Sequence, residues 1–193
     1  GQPASGRHPW YVLHPGKFTR RTYGMKIAVI SDSHDNRDKF RQAAIAAKQD
    51  RAEAILHCGD IVAPSTLKEA RETGLPIHAI HGNNAGDLVM MQHIAGKPEN
   101  RISFYGQDAS IKLGERTIFL VHYPHYARAM AVTGDYDIVC YGHDHHYHEE
   151  QVETIKGTTT LLLNPGSVAG LDGPPSFMML DLDTLKITRH LVD

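Results

Sequence analysis

The sequence predicts an α/β fold in which two β-sheets pack together with helices outside. Three observations lead there. Short apolar runs alternate with helical stretches as far as Tyr141, the pattern of βα units. Beyond Tyr141 the pattern changes to paired strand-like runs, as in hairpins. Residues able to bind cations or move protons recur just past the predicted strands, where open α/β sheets build their sites.

Residues 1–24, GQPASGRHPWYVLHPGKFTRRTYG, are rich in Pro, Gly and basic residues and show no sustained period. They lack the long apolar stretch of a secretory signal. They read as an N-terminal extension or leader, with the domain spanning 25–193. No candidate site residue precedes Asp32, so this segment is expected to be dispensable for chemistry. Lys26–Ser31 (KIAVIS) is the short apolar run of a buried strand. Asn36–Gln49 places Phe40, Ala43, Ala44 and Ala47 on one helical face. Ala54–Cys58 is a second strand, Pro64–Glu72 a short helix stopped at Gly74, and Ile77–His81 a third strand. Asp87–Ile94 reads as helix. Ile102–Tyr105, Ser110–Leu113 and Thr117–His122 read as strands, the last two joined by a tight Gly114-Glu115 turn. Pro124–Val132 begins with Pro as a helix does, and Asp137–Tyr141 is another buried strand. Two hairpins follow, Tyr147–Ile155 with Thr158–Leu163 and Ser176–Leu182 with Lys186–Leu191.

At 193 residues the chain has room for one domain with a real core. A formal net charge of -2 argues against a general basic face for duplex nucleic acid. Cys58 and Cys140 both sit among apolar residues and read as buried thiols, with no disulfide framework or thiolate zinc motif. No stretch reaches the length of a membrane-spanning helix, so the expectation is a soluble, cytoplasmic protein without a membrane partner. A homo-oligomer is compatible with all of this. The unusual figure is 14 histidines, and their positions carry the argument.

Asp32-Ser33-His34 follows the first strand, and side chains two apart in an extended segment point the same way. Gly59-Asp60 follows the second, the glycine permitting a sharp turn that leaves the carboxylate at the strand tip. Gly82-Asn83-Asn84 follows the third, where Asn83 offers a neutral oxygen to a cation. His122 follows Thr117–Val121, and Gly142-His143-Asp144-His145 follows Asp137–Tyr141. Each piece alone also fits an ordinary loop: a helix N-cap, a turn aspartate, a left-handed asparagine. Together they place Asp, His, Asp, Asn, His, His and His after five successive strands of one sheet system. Seven N/O ligands exceed the needs of one tetrahedral zinc, which disfavours a single-metal binding protein. They suit two ions ~3.5–4 Å apart sharing one carboxylate. An imidazole–carboxylate mixture without thiolate fits manganese first, with iron, nickel, cobalt or zinc as alternatives.

The ordered set D-x-H, G-D, G-N, a lone His after a strand, and G-H-x-H resembles the five signatures of calcineurin-like metallophosphoesterases. The start MKIAVISDSH and the stretch Asn164-Pro165-Gly166-Ser167 resemble the small YfcE-like phosphodiesterases of bacteria and archaea. The resemblance runs from Met25 to the C-terminus. It implies a four-layer α/β/β/α sandwich of two mixed sheets, with the metal site at the C-terminal ends of the strands. It also implies Asp32, His34, Asp60 and His145 on one ion, and Asp60, Asn83, His122 and His143 on the other, with Asp60 as the bridge. Two departures stand out. Most relatives carry G-N-H-D at the third motif, where the His assists the leaving group; here Asn84 and Ala85 stand in those places. His122 is followed by Tyr123-Pro124-His125 where Gly is usual.

The expected function is a metal-dependent phosphodiesterase acting on small phosphoesters or nucleotides through a hydroxide bridging two metal ions. Water, His125 or His146 would protonate the leaving group. The competing reading is a weakly active or inactive metal-binding scaffold, as in the retromer subunit that resembles these enzymes.

Overall fold

A computed structural model describes residues 24–193, so all of the expected extension but Gly24 lies outside the described residues. In chain order the elements are β1 (Lys26–Ile30), α1 (Arg37–Gln49), β2 (Ala54–His57), a 3₁₀ helix (Pro64–Thr73) and β3 (Ile77–Ala79). Next come α2 (Leu88–Ala95), a short 3₁₀ turn (Pro98–Asn100), β4 (Ile102–Phe104), β5 (Asp108–Leu113), β6 (Arg116–Val121) and α3 (Pro124–Thr133). β7 (Ile138–Cys140), β8 (Tyr147–Glu153), β9 (Thr159–Pro165), β10 (Ser176–Asp181) and β11 (Ile187–Leu191) complete the domain.

The apolar runs become strands buried on both faces, and the period of two divides their side chains between two cores. In β1, Ala28 and Ile30 join Phe40, Ala43, Ala44 and Ala47 of α1 in a core on one side of the first sheet. Ile27 and Val29 face the other way and meet Ile118 and Leu120 of β6 and Leu163 of β9 in a core between the sheets. β6 divides likewise, with Phe119 and Val121 packing on Ala127 and Ala131 of α3. Three cores therefore separate four layers, helix, sheet, sheet and helix. Helix α1 starts where Asn36 accepts a hydrogen bond from the Lys39 backbone N–H at 3.2 Å, an N-cap. The 3₁₀ helix before β3 stops at Gly74, whose φ of 66° closes it with a left-handed residue.

Both sheets are mixed. The first runs β11-β10-β1-β2-β3-β4, with β1 to β4 parallel and β10 antiparallel to β1. The second runs β5-β6-β7-β9-β8, with β6, β7 and β9 parallel. The two expected hairpins form, β8 with β9 and β10 with β11, but they belong to different sheets. The five strands that carry the motifs are likewise not one sheet: β1, β2 and β3 lie in the first, β6 and β7 in the second. Among the described residues, no helix is long and apolar enough to cross a membrane.

Candidate metal centre

The strands end one or two residues earlier than the apolar runs do, and the chain turns left-handed soon after leaving β1, β2 and β7. Asp32 (φ 54°), His34 (φ 39°), Asp60 (φ 53°), His143 (φ 76°) and His145 (φ 61°) all have positive φ. The extended i, i+2 geometry expected for Asp32/His34 and for His143/His145 is therefore not what aims them together. The backbones do it instead. Asp32 N–H donates to the Gly59 carbonyl at 3.1 Å and His34 N–H to the Asp60 carbonyl at 3.0 Å. This zips the loop after β1 onto the loop after β2. Left-handed non-glycine residues cost of order 1–3 kcal/mol each and gather where a site demands them.

The seven predicted ligand residues converge where the ends of both sheets meet. Asp32 Oδ1 lies 3.7 Å from His34 Nε2 and 3.5 Å from His145 Nε2. Asp60 Oδ2 lies 3.4 Å from His34 Nε2, while its other oxygen lies 3.3 Å from His122 Nε2. Asn83 Oδ1 is 3.1 Å from His122 Nε2 and 3.0 Å from His143 Nδ1. Two triplets, Asp32/His34/His145 and Asp32/Asp60/His122, each bring their ligand atoms within 4.8 Å of one another.

These residues fit divalent cations. Asp32 is fully buried; its Oδ2 accepts from Ser31 Oγ at 2.6 Å and from His143 N–H at 3.1 Å. Among the described residues its Oδ1 has no hydrogen-bond partner, nor has the buried His34 Nε2 that faces it. A buried polar atom left unpaired costs about 1–3 kcal/mol, and more when charged. His122 makes the same point. Its Nδ1 lies 2.8 Å from the Cys58 carbonyl and so carries the proton, which leaves Nε2 as a lone pair facing carboxylate and amide oxygens. Acceptors facing acceptors require a cation between them, a proton or a metal.

The titration of the site follows from this crowding. The Asp32 carboxylate first, and then Asp60, raise the His34 imidazole above its ordinary value against partial burial. Burial lowers His122, but the Asp60 and Asp32 carboxylates outweigh it and leave it raised. Burial likewise opposes ionisation of Asp60, yet His122 and Asn84 hold it well below the usual carboxylate range. His57 lies fully buried beneath, its Nε2 3.1 Å from Ser33 Oγ, and burial pushes it down to about 4.

A pH prediction follows. Raised imidazoles stabilise the metal-free fold below their unfolded value, and that contribution is lost as pH rises through the raised folded value. A metal must displace those protons. His57 is lowered, so its contribution is present above the unfolded value and lost as pH falls, but it acts alike with and without metal. The increment in Tm caused by added metal should therefore grow between about pH 5 and 8. Thermal denaturation with metal and with chelator measures it. A flat increment would remove His34 and His122 from the ligand set.

The residues expected to move protons are placed less centrally. Asn84, in the position of the usual acid, donates its backbone N–H to Asp60 Oδ1 at 2.9 Å and its amide to Oδ2 at 2.6 Å. It thus clamps the carboxylate lying between the two halves of the site. His125 is exposed on α3, its ring 5.9 Å from that of Tyr123. His146 is exposed and turns Nδ1 toward the Asp144 carbonyl. Two residues near the site went unassigned in the sequence. Tyr123 sets its ring 5.3 Å from His122 and 5.2 Å from His143. Asp172 lies 2.8 Å from His145 Nδ1. Its position 27 residues along the chain gives no local signal.

Similarity to known proteins extends over most of the chain. The profile of the calcineurin-like phosphoesterase superfamily domain matches residues 25–185. A phosphodiesterase of Methanocaldococcus jannaschii is 32% identical over 171 residues, 87% of this chain and 99% of its own. The solved structure of a novel archaeal phosphodiesterase superposes with a TM-score of 0.75 at 28% identity, covering 87% of this chain and 100% of the other. That of YfcE, a phosphoesterase from E. coli, gives 0.61 at 19% identity, covering 88% and 100%, a likeness of fold.

Proposed function

This chain belongs to the calcineurin-like phosphoesterase superfamily, and from that premise we propose that it hydrolyses phosphodiesters with two divalent metal ions held between its two sheets. The observation that carries the reading is the facing pair of unpartnered atoms, Asp32 Oδ1 and His34 Nε2, beside a carboxylate whose two oxygens each meet a different imidazole. Asp32, His34, Asp60 and His145 would hold one ion, and Asp60, Asn83, His122 and His143 the other. Manganese is the first choice for this donor set, with iron, nickel, cobalt and zinc as alternatives. The chemistry such a pair would supply is a water-derived nucleophile at neutral pH and neutralisation of phosphoryl charge.

The rest is done by the chain. Asn84 fixes the orientation of Asp60 through two hydrogen bonds. The Cys58 carbonyl fixes the tautomer of His122. The mouth is open, since His125, His143 and His146 are exposed, so water reaches a departing oxygen there and either rim imidazole, His125 or His146, is available to it. An amide at Asn84 cannot donate a proton at neutral pH. General acid help is worth ~10²–10⁴-fold, and an alkyl monoester, which leaves as a basic alkoxide, needs it most.

Bis-p-nitrophenyl phosphate with added Mn²⁺ should therefore be cleaved with a higher kcat/KM than a nucleoside monophosphate. Chelation should abolish both reactions. Asn84→His should narrow the gap by raising the monoester rate relative to the diester rate at equal metal occupancy. Preference for alkyl monoesters in the unaltered protein would mean that another residue supplies the acid. Metal uptake without hydrolysis of either ester would favour the scaffold reading.

A further inference from the structure

The segment after β9, Gly166 to Pro175, is built around one half of the site. Val168 N–H donates to the Ser31 carbonyl at 3.0 Å, and Ala169 N–H to the Asp32 carbonyl at 3.3 Å. Ser167 Oγ donates to that same Asp32 carbonyl at 2.9 Å and accepts from Leu171 N–H at 3.3 Å. Asn36 Nδ2 reaches the Ala169 carbonyl at 3.5 Å. The loop is thus fastened to the backbone of one predicted ligand, and it ends on the side chain of another. Asp172 adopts φ 55°, a conformation that favours Gly, Asn or Asp, and places Oδ2 2.8 Å from His145 Nδ1.

A carboxylate only accepts, so His145 Nδ1 carries the proton and Nε2 presents its lone pair toward Asp32 Oδ1, 3.5 Å away. His122 in the other half is oriented differently, by the Cys58 backbone carbonyl inside the core. A backbone carbonyl cannot be exchanged by mutation, and it adds no full charge. Asp172 is a charged acceptor, 71% exposed, and its side chain can be altered without opening a core. A carboxylate behind a ligating imidazole fixes its ring and raises its basicity.

We propose that Asp172 is a positioning residue that sets the metal affinity of the Asp32/His34/His145 position separately from that of the other position. This rests on the two-metal reading above. Its consequence is an inequality: one position is tuned by an exposed side chain and the other by the fold.

The test is a Co²⁺ titration of the metal-free full chain, followed by calorimetry and by visible ligand-field absorption. The unaltered protein should take two ions. Asp172→Ala should keep one affinity unchanged and weaken the other by about 10–100-fold, with the ligand-field bands of that ion altered. Asp172→Asn retains an acceptor without charge and should fall between the two. The metal-free Tm of Asp172→Asn should match that of the parent, because Asp172 is exposed and asparagine tolerates its φ of 55°, while Asp172→Ala should fall only by the small cost of left-handed strain. Two ions bound by Asp172→Ala with the parent's affinities and spectrum would overturn the inference alone. Equal weakening of both ions with a lowered metal-free Tm would overturn it in favour of a structural role. A parent that binds fewer than two ions would overturn the two-metal reading and this inference with it.

Discussion

Asp60→Asn should lose both metal ions and lower turnover by roughly 10³-fold or more, the largest effect of any single ligand. Several kcal/mol of transition-state stabilisation come from the ions, and each ~1.4 kcal/mol is tenfold in rate. The geometry gives the reason for the double loss. One oxygen of Asp60 faces His122 at 3.3 Å and the other faces His34 at 3.4 Å. The asparagine keeps the shape but gives up the charge, and it sets an amide donor against the donating Asn84. His34→Ala removes one imidazole, which faces Asp32 and a single oxygen of Asp60, and should release one ion. Metal analysis on both variants decides it: two ions retained in Asp60→Asn would remove the bridging role.

Gly82→Ala should be nearly as damaging although it removes no ligand. A Cβ at Gly82 would collide with Asp60 Oδ1 and lie 2.6 Å from His122 Nε2. Both side chains are held by other bonds, Asp60 by Asn84 and His122 by the Cys58 carbonyl, so neither can retreat freely. A misplacement near 1 Å is enough to cost about 10²-fold in rate. The expected result is a folded protein with depleted metal and kcat/KM reduced by about that factor. Gly74→Ala provides the contrast. Gly74 precedes β3 where Gly82 follows it, it has φ 66°, and a Cβ there would meet nothing within 4 Å. That variant should lose about 1 kcal/mol of stability to left-handed strain while keeping metal and rate. Equal metal content in Gly82→Ala and the parent would show that the site yields to the methyl group.

The element pattern was legible because the central strands are apolar runs buried on both faces, as in β1, β2 and β7, and α1 carries one apolar stripe. Phe40, Ala43, Ala44 and Ala47 face the first sheet as their spacing requires. The seven predicted ligands were legible for a different reason. Sheet-end chemistry places them at the C-terminal ends of strands, so a linear order of short motifs maps onto a cluster.

Sheet membership was not legible. Ser176–Asp181 and Tyr147–Glu153 both read as hairpin strands, yet β10 also pairs with β1 in the first sheet, while β8 pairs with β9 alone at the edge of the second. Hairpin pairing is local and is written in turn residues and alternation. The choice of a distant strand edge depends on which apolar faces remain uncovered after the rest has folded. The backbone that aims the ligands escaped the sequence likewise. Positive φ at Asp32, His34, Asp60, His143 and His145 is imposed by bonds between loops, such as Asp32 N–H to the Gly59 carbonyl; Asp and His tolerate that conformation, but residue type alone does not demand it. By itself, then, the sequence determined the elements and the chemical identity of the candidate ligands, because both depend on residue type and short spacing. Only the tertiary structure decided which sheet each strand joins, that Asn84 clamps Asp60, and that Asp172 stands behind His145. Those contacts join residues 24 and 27 positions apart in the chain, and nothing in the intervening sequence encodes the closure that brings them together.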